Sequence, residues 1–358
     1  MNPPKRPKMT ATIFCRRPGP LMADSLQDVD VERPEPGPHD LLVSVRAVSV
    51  NPLDTKVRTG AVEVPVEVRS LGWDAAGVVD AVGEAVTLFR PGQRVWYAGS
   101  FDRDGSNAQC QRVDERIVGP MPESLGFAEA AAMPLVSLTA WQLLFDRLGV
   151  ARDAAVGKGC LLIVGGNGGV GLMLIQLARR LTGLTVVATA SSERGRAQCL
   201  LQGAHHVLNH HRPLQAQLLA LSVPPVDHVA ALSHTAQHLP ALAELMQSQG
   251  RLAIIDDHAS LDAAPFKAKS ISLHWEMVFT RPLYRTPDMR AQHRILTEVA
   301  ALVDAGVLHP VVAQMLSPMN AERLMQAHRL VEAGGLAGKV VVARDVDRPL
   351  QPMAEAEA

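Results

Sequence analysis

Residues Ile163-Val-Gly-Gly-Asn-Gly-Gly-Val-Gly171 carry the spacing Gly166-x-Gly168-x-x-Gly171. An apolar run, Cys160 to Val164, feeds into them, and an amphipathic stretch, Leu172-Met-Leu-Ile-Gln-Leu-Ala-Arg-Arg180, follows. That succession reads as a strand, a glycine turn and a helix start, the parts that a dinucleotide pyrophosphate needs. Gly166 is expected to let the chain turn sharply, Gly168 to let phosphates approach the backbone, and Gly171 to let the helix pack close to the strand. The helix N-terminus then offers unpaired N–H groups and a partial positive charge. The loop residues Gly166, Asn167, Gly168, Gly169, Val170 and Gly171 are therefore expected to bind the cofactor.

Outward from this loop, the texture of the chain changes twice. The first third is rich in strands: Asp40–Val50, Ala75–Val82 and Gln93–Tyr97 alternate and carry β-branched residues, with turn signals at 34–38, 83–84 and 91–92 between them. A compact, mostly antiparallel and barrel-like β domain follows from this. From about Ser137 strands alternate with helical patterns. The strands are Cys160–Val164, Leu184–Ala188, His206–Leu208, His228–Leu232 and Arg251–Ile255; the helical patterns cover 169–182, 193–202, 236–247 and 287–305. Such alternation predicts a doubly wound parallel sheet. The end returns to a strand at Val311–Leu316, a helix at Ala321–Glu332 and a strand at Lys339–Val342. The expected division is a substrate domain of residues 1–136 and 311–358 around a Rossmann domain of residues 137–310.

A chain of 358 residues suits two domains. Its formal net charge of −1 gives no basic surface for nucleic acid. Met1-Asn-Pro-Pro-Lys-Arg-Pro-Lys8 is basic but has no apolar run behind it, so no signal peptide is expected. The apolar segment 130–145 contains Pro134, Ser137 and Thr139 and reads as a buried helix rather than a membrane span. Cys15, Cys110, Cys160 and Cys199 lie far apart, as expected of reduced thiols in a cytoplasmic protein. Both termini are expected to fray.

Several further motifs resemble the medium-chain dehydrogenase/reductase superfamily, and within it the quinone oxidoreductase (zeta-crystallin) branch. They are Asn51-Pro-Leu-Asp-Thr-Lys-Val-Arg-Thr-Gly60, Gly72-Trp-Asp-Ala-Ala-Gly77 with Val82-Gly83, Ala131–Ala140 and Gly338-Lys-Val-Val341. Trp275-Glu-Met-Val-Phe-Thr-Arg281 with Tyr284 resembles the signature of a bacterial subgroup called zinc-type alcohol dehydrogenase-like proteins. The similarity spans about residues 10 to 345. It implies a GroES-like substrate domain beside the Rossmann domain. It also places Thr139 near the nicotinamide and Asn209 near the adenosine ribose, and adds Leu232, Lys339 and Asn51 to the cofactor site.

The resemblance also raises the question of zinc. In zinc-dependent relatives a Cys, a His and a second Cys or Asp hold the metal; here the corresponding positions fall on Asn51, Trp73 and near Leu135. Amide, indole and alkyl groups are not credible zinc ligands, so no zinc is expected. The pairs His205-His206 and His210-His211 are expected to be surface histidines rather than a metal cluster. Without zinc, NADPH would supply a hydride and the protein would stabilise charge on the acceptor's carbonyl oxygen. The expected donors are Asn51 and Lys56, with Tyr284 close by. The branch commonly has Tyr where Lys56 stands, and Lys56 reads equally as a solvated helix lysine. Asp54 is expected to be structural. Trp73, Trp275 and Phe279 are candidate walls of a substrate pocket, or ordinary core.

Cofactor choice rests on the end of the second Rossmann strand. NAD enzymes usually place an acid there; here the strand ends in Ser191-Ser192, with Arg194 or Arg196 following. Hydroxyls and an arginine suit a 2′-phosphate, so NADPH is expected over NADH. The resulting reading is an NADPH-dependent reductase of a quinone or an α,β-unsaturated carbonyl. The alternatives are a zinc-type dehydrogenase of a small alcohol or aldehyde, and a non-catalytic NADPH-binding protein. Segment 270–279 is β-rich, has only Glu276 as a charge in its middle, and should form an unprotected sheet edge. The resemblance implies a homodimer paired through that edge; a loop at 280–288 folding over it is the alternative.

Overall fold

The computed structural model of the protein describes residues 8–14, 21–22, 24–63, 70–152 and 159–344. Cys15, the basic N-terminal residues 1–7 and the tail 351–358 lie outside the described residues. In chain order the first seven strands are β1 (Lys8–Phe14), β2 (Leu26–Glu32), β3 (Asp40–Val50), β4 (Ala75–Val82), β5 (Arg94–Tyr97), β6 (Cys110–Asp114) and β7 (Val118–Pro120). β1 and β2 form an antiparallel pair that the sequence pattern did not signal. β3 pairs antiparallel with both β4 and β6, which explains why nearly all of its side chains are buried.

The next six strands are β8 (Cys160–Val164), β9 (Thr185–Thr189), β10 (His206–Leu208), β11 (Val226–Ala231), β12 (Met246–Ile254) and β13 (Ser272–Trp275). They form one parallel sheet in the order β10-β9-β8-β11-β12-β13. β8 is apolar throughout and buried throughout, as a central parallel strand covered on both faces must be. The strand order reverses between β8 and β11. In such sheets the crevice at the carboxyl ends of the strands on either side of that reversal receives the ligand.

The chain then returns. β14 (Val312–Leu316) pairs with β15 (Lys339–Ala343), and β15 pairs antiparallel with β3. The architecture is thus a Rossmann domain with a parallel sheet beside a GroES-like domain with a mostly antiparallel sheet. One apolar core runs from β3 and β4 through helix Pro134–Trp141 into helix Gly169–Leu181. The segment 130–145 is buried but is not one helix: helix Phe127–Ala131 ends in it, and after a break helix Pro134–Trp141 runs into a π-helical stretch at Gln142–Arg147. A second cluster fills the other face of the parallel sheet, around Leu162, Val229 and Phe266.

Among the described residues β13 is an edge, paired with β12 alone. The strand is shorter than the expected 270–279 segment. Glu276 does not guard the edge, because its carboxylate turns inward onto Arg147 at 2.7 Å. Burial pushes the Glu276 carboxyl up to about 7. Residues 280–283 form a short helix, not a loop laid along the strand.

Candidate active site: a glycine loop and a buried lysine cluster

The dinucleotide loop begins where β8 ends. Gly165 takes a left-handed φ of +83°, so the sharp turn lies there and not at Gly166 as expected from spacing. The N–H groups of Gly165 and Gly166 donate to the hydroxyl and the carbonyl of Thr189, each at 3.0 Å, which fastens the loop to β9. Gly166 is required by packing instead, since a Cβ there would stand 2.7 Å from that of Ala188. Gly168 caps helix Gly169–Leu181 and offers no side chain to the helix's first N–H groups. A Cβ on Gly168 would meet nothing nearer than the Gly165 carbonyl at 3.7 Å. The loop therefore presents free N–H donors on an open side, which fits a pyrophosphate. Asn167 packs on Gly195, and Lys339 lies along Gly169.

Ser191, Ser192, Glu193 and Arg194 are all exposed just beyond the carboxyl end of β9. The Ser192 hydroxyl accepts from the Gly195 N–H at 3.1 Å and caps helix Glu193–Leu201, so it is not a free partner equal to Ser191. Arg196 is turned away, donating to the Val207 carbonyl at 2.6 Å. Asn209 is also engaged in its own loop: its side-chain oxygen accepts from the His211 N–H at 2.9 Å. The Leu232 N–H donates to the Val164 carbonyl at 3.1 Å. The Thr139 hydroxyl donates to the Leu135 carbonyl at 2.8 Å.

His205 is exposed, as expected, and its Nδ1 accepts from the Val186 N–H at 2.9 Å. The rings of His210 and His211 lie 4.6 Å apart, and His210 and His238 6.2 Å apart. Burial and the neighbouring imidazoles hold His210 and His238 below the usual histidine range.

The polar centre of the substrate domain is a cluster the motifs only half revealed. Lys339, at the start of β15, donates to the Asn51 side-chain oxygen, and its ammonium lies 3.1 Å from the Asp74 carboxylate. The Asn51 amide donates to Asp74 at 3.4 Å and to the Ser49 carbonyl at 3.3 Å. The other Asp74 oxygen accepts from the Leu135 N–H at 2.9 Å. Asn51, Asp54, Asp74 and Lys339 are all buried. Asn51 is thus a linking residue, with both ends of its amide engaged in the cluster. Burial raises the Asp74 pKa against the pull of Lys339. A carboxylate entering an otherwise apolar strand, as in Gly72-Trp-Asp-Ala-Ala-Gly77, is the signal that could have marked Asp74.

Asp54 accepts from the Asn51 N–H at 2.8 Å through one oxygen, whereas its other oxygen is buried and, among the described residues, accepts no hydrogen bond of normal geometry. Burial pushes this carboxyl from 3.8 up to about 7. Between those values the folded state holds a proton that the unfolded state has released, so this group lowers stability as pH rises through that window. Asp54→Asn keeps an acceptor for Asn51 and removes the charge. It is expected to raise stability at pH 8 by about 1–3 kcal/mol and to leave it unchanged near pH 4. Urea unfolding at both pH values measures this; a variant weaker than the parent at pH 8 would contradict it.

The remaining candidates do not converge on one point. Lys56, on helix Pro52–Thr59, reaches Asp257 of the Rossmann domain at 2.9 Å. Trp73 donates to the Ser100 carbonyl at 3.2 Å and meets Phe101 edge-on, and Phe101 stacks on Phe279. Trp73 and Phe279 are therefore fully buried core in this structure, while Trp275 stands 58 % exposed at the sheet edge. Tyr284 is 77 % exposed, and among the described residues no hydrogen bond joins it to Asn51 or Lys56.

At Asn51, Trp73 and Leu135, where the resemblance implies metal ligands, the residues do not fit a metal. Asn51 already accepts from an ammonium, Trp73 offers an N–H donor, and Leu135 is aliphatic. Among the described residues no group of three or more His, Cys, Asp or Glu is arranged to hold a metal ion. Also among the described residues, no helix is long and apolar enough to cross a membrane.

Comparison with known proteins agrees with this anatomy. Residues 37–142 match the alcohol dehydrogenase GroES-like domain, and residues 202–342 match the zinc-binding dehydrogenase domain. A zinc-type alcohol dehydrogenase-like protein of Staphylococcus aureus is 39 % identical over 87 % of this chain and 92 % of its own. The quinone oxidoreductase of Mus musculus is 28 % identical over the same shares, 87 % and 92 %. Among solved structures, a candidate zinc-dependent alcohol dehydrogenase from Rhizobium etli superposes with a TM-score of 0.89 at 47 % identity, covering 94 % of this chain and 98 % of that one. A mycobacterial protein solved in complex with NADPH superposes with a TM-score of 0.77 at 25 % identity, over 94 % and 99 %.

Proposed function

This chain belongs to the medium-chain dehydrogenase/reductase superfamily, and from that premise we propose that it is an NADPH-dependent oxidoreductase that reduces a quinone or an α,β-unsaturated carbonyl without zinc. The observation that carries the reading is the buried cluster around Lys339. At Asn51, where the resemblance implies a metal ligand, the side-chain oxygen instead accepts from an ammonium that Asp74 also holds. The murine relative named quinone oxidoreductase and the mycobacterial protein complexed with NADPH support the substrate class and the cofactor.

In this reading bound NADPH supplies the hydride. The N–H groups at Gly169 and Val170 hold its pyrophosphate, Gly168 leaves room for it, and Asn167 and Gly171 keep the loop in place. Ser191 and Arg194 face the 2′-phosphate, Asn209 and Leu232 the adenosine, and Thr139 the nicotinamide. Lys339 fixes Asn51 at the inner wall of the crevice. Lys56 stands at its mouth, its ammonium paired with Asp257, and Tyr284 belongs to the outer rim. Trp73 and Phe279 lie in the core behind the crevice rather than in its wall. The domains divide near residues 136 and 311.

The test is a panel of quinones, enones, 2-alkenals and simple alcohols with NADPH and NADH, read by nicotinamide absorbance with and without a chelator. Reduction of quinones or enones with NADPH, unchanged by chelation, is expected. Stoichiometric zinc with activity lost on chelation overturns the zinc-independent reading, and tight NADPH binding without turnover favours a binding protein. Ser191→Asp places a carboxylate against the 2′-phosphate and is expected to weaken NADPH about tenfold, ~1.4 kcal/mol, with NADH little changed. A parent protein with the lower Kd for NADH would refute the cofactor choice.

The same reading takes the protein to be a cytoplasmic homodimer. Cys110, Cys160 and Cys199 are free thiols, two of them buried. Trp275 and Met277 are exposed beside the unpaired edge of β13. Two such edges meeting on a two-fold axis would join the sheets. Sedimentation at micromolar concentration should report a dimer, and proline at Leu273 or His274 should convert it to monomer by interrupting the strand. A monomeric parent protein rejects this assembly.

A further inference from the structure

Lys56 and Asp257 belong to different domains, 201 positions apart, yet their charged groups meet at 2.9 Å. Lys56 projects from the helix that begins at Asn51, the residue tied to Lys339 and Asp74. Asp257 lies three residues past the carboxyl end of β12, in the row of strand ends that bounds the crevice. Its backbone is anchored, because the adjacent Asp256 accepts from the N–H and hydroxyl of Thr235 and lies 3.0 Å from His258. The pair therefore joins the two domains beside the carboxyl end of β12, the side on which such sheets receive a ligand. Both side chains remain open to water, 41 % exposed for Lys56 and 69 % for Asp257.

Two physical points follow. An ion pair this exposed contributes little stability, so its carboxylate arm can be exchanged at small cost. What replaces Asp257 must nevertheless satisfy a full positive charge. A neutral carbonyl oxygen makes a weaker bond to an ammonium than a carboxylate does. A neutral acceptor would therefore enter beneath an intact bridge, whereas an acidic acceptor can take Asp257's place.

We propose that Lys56 is the anchor for a carboxylate on the substrate, with Asp257 as the built-in occupant it exchanges, so that the preferred acceptors are enones or quinones bearing an acidic group. This rests on the reductase reading above for the identity of the acceptor. The exchange itself needs only the side chains of Lys56 and Asp257. Asp257 is a positioning residue here. It holds the lysine extended across the mouth and keeps it paired until an acidic acceptor arrives.

The two variants should act in opposite directions, which a merely structural ion pair would not produce. The probes are trans-3-benzoylacrylate and its neutral amide, which share one enone and differ in charge. Binding is measured by titration calorimetry to the protein alone and with NADP⁺, and turnover separately with NADPH. The parent protein is expected to bind the acid at least fivefold more tightly than the amide. Lys56→Met should abolish that preference through the acid's Kd and KM. Asp257→Asn should strengthen acid binding severalfold by removing its competitor, and should leave the amide within twofold. Raising salt should erode the preference in the parent protein. Equal binding of acid and amide by the parent, binding of neither, or an acid-to-amide ratio unmoved by both variants overturns the proposal. If NADPH binds and the amide turns over while the acid is not preferred, this inference fails and the reductase reading stands. If the acid is preferred but NADPH does not bind, the reverse holds.

Discussion

Lys339→Met should destabilise the protein by about 3–5 kcal/mol at neutral pH, the range for removing one partner of a buried ion pair. The lysine is buried, and the Asp74 carboxylate that it neutralises is fully buried. Methionine fills similar volume, so little of the loss comes from a cavity. What remains is an uncompensated carboxylate and an Asn51 oxygen stripped of its charged donor. The loss should shrink in acid. Burial already raises the Asp74 pKa, and without Lys339 it should rise further, so the folded variant keeps the proton to higher pH. Stability of the variant should therefore fall as pH rises through the neutral range, where the unfolded state binds fewer protons. Adding Asp74→Asn should recover part of the loss, because no buried charge is then left unpaired. Denaturant unfolding of the parent, the single and the double variant at pH 5 and pH 8 measures all three claims. A single variant within 1 kcal/mol of the parent at pH 8 would mean that the ammonium is not what holds this centre together. Because Lys339 also lies along Gly169 at the start of the cofactor helix, NADPH affinity should fall with it.

The parts legible in the sequence are those whose cause is local. Cys160–Val164 reads as a strand because it is apolar without a break between a loop and a glycine turn, and β8 has those bounds. The alternation after Ser137 and the return at Lys339 follow from periodicity in the same way, and the sheets bear both out. Local chemistry also explains Ser192: a serine three residues before Gly195 at a helix start is a cap, and weighing that would have removed it from the phosphate site. The site itself was less legible, because its contacts span most of the chain. Lys339 meets Asn51 across 288 positions and Lys56 meets Asp257 across 201, and no local pattern encodes such a pairing. Residue type alone lets Trp73 and Phe279 be read either as pocket walls or as ordinary core. Whether a large aromatic lines a cavity or fills a core depends on what stands opposite, here Phe101. The sharp turn falls on Gly165 rather than Gly166 because spacing identifies the glycine motif but not which glycine takes the positive φ.

Gly171→Ala should be among the most damaging single substitutions in the protein, although it adds one methyl group. That carbon would stand 2.5 Å from the Gly166 carbonyl oxygen and 2.6 Å from that of Gly165. Both are backbone atoms of a loop pinned to Thr189 by two hydrogen bonds, so no flexible side chain can yield. The helix must lift from β8 or the loop must deform. The first opens the core under Leu172 and Ile175, and the second moves the N–H groups that face the pyrophosphate. Overpacking of this kind costs about 1–3 kcal/mol. If the loop yields, NADPH affinity should drop about a hundredfold, ~2.7 kcal/mol. Gly168→Ala separates packing from ligand binding. Its φ of −74° suits alanine, and its Cβ would meet no atom of the protein within 3.6 Å, so stability should stay within about 0.5 kcal/mol of the parent. Its methyl group would nevertheless enter the space left open for phosphate, and NADPH binding should weaken severalfold. Thermal unfolding and fluorescence titration of the two variants give the four values. Gly168→Ala binding NADPH as the parent does would show that the cofactor does not lie against this face of the loop. A stable, tightly binding Gly171→Ala would show that the helix can move without cost.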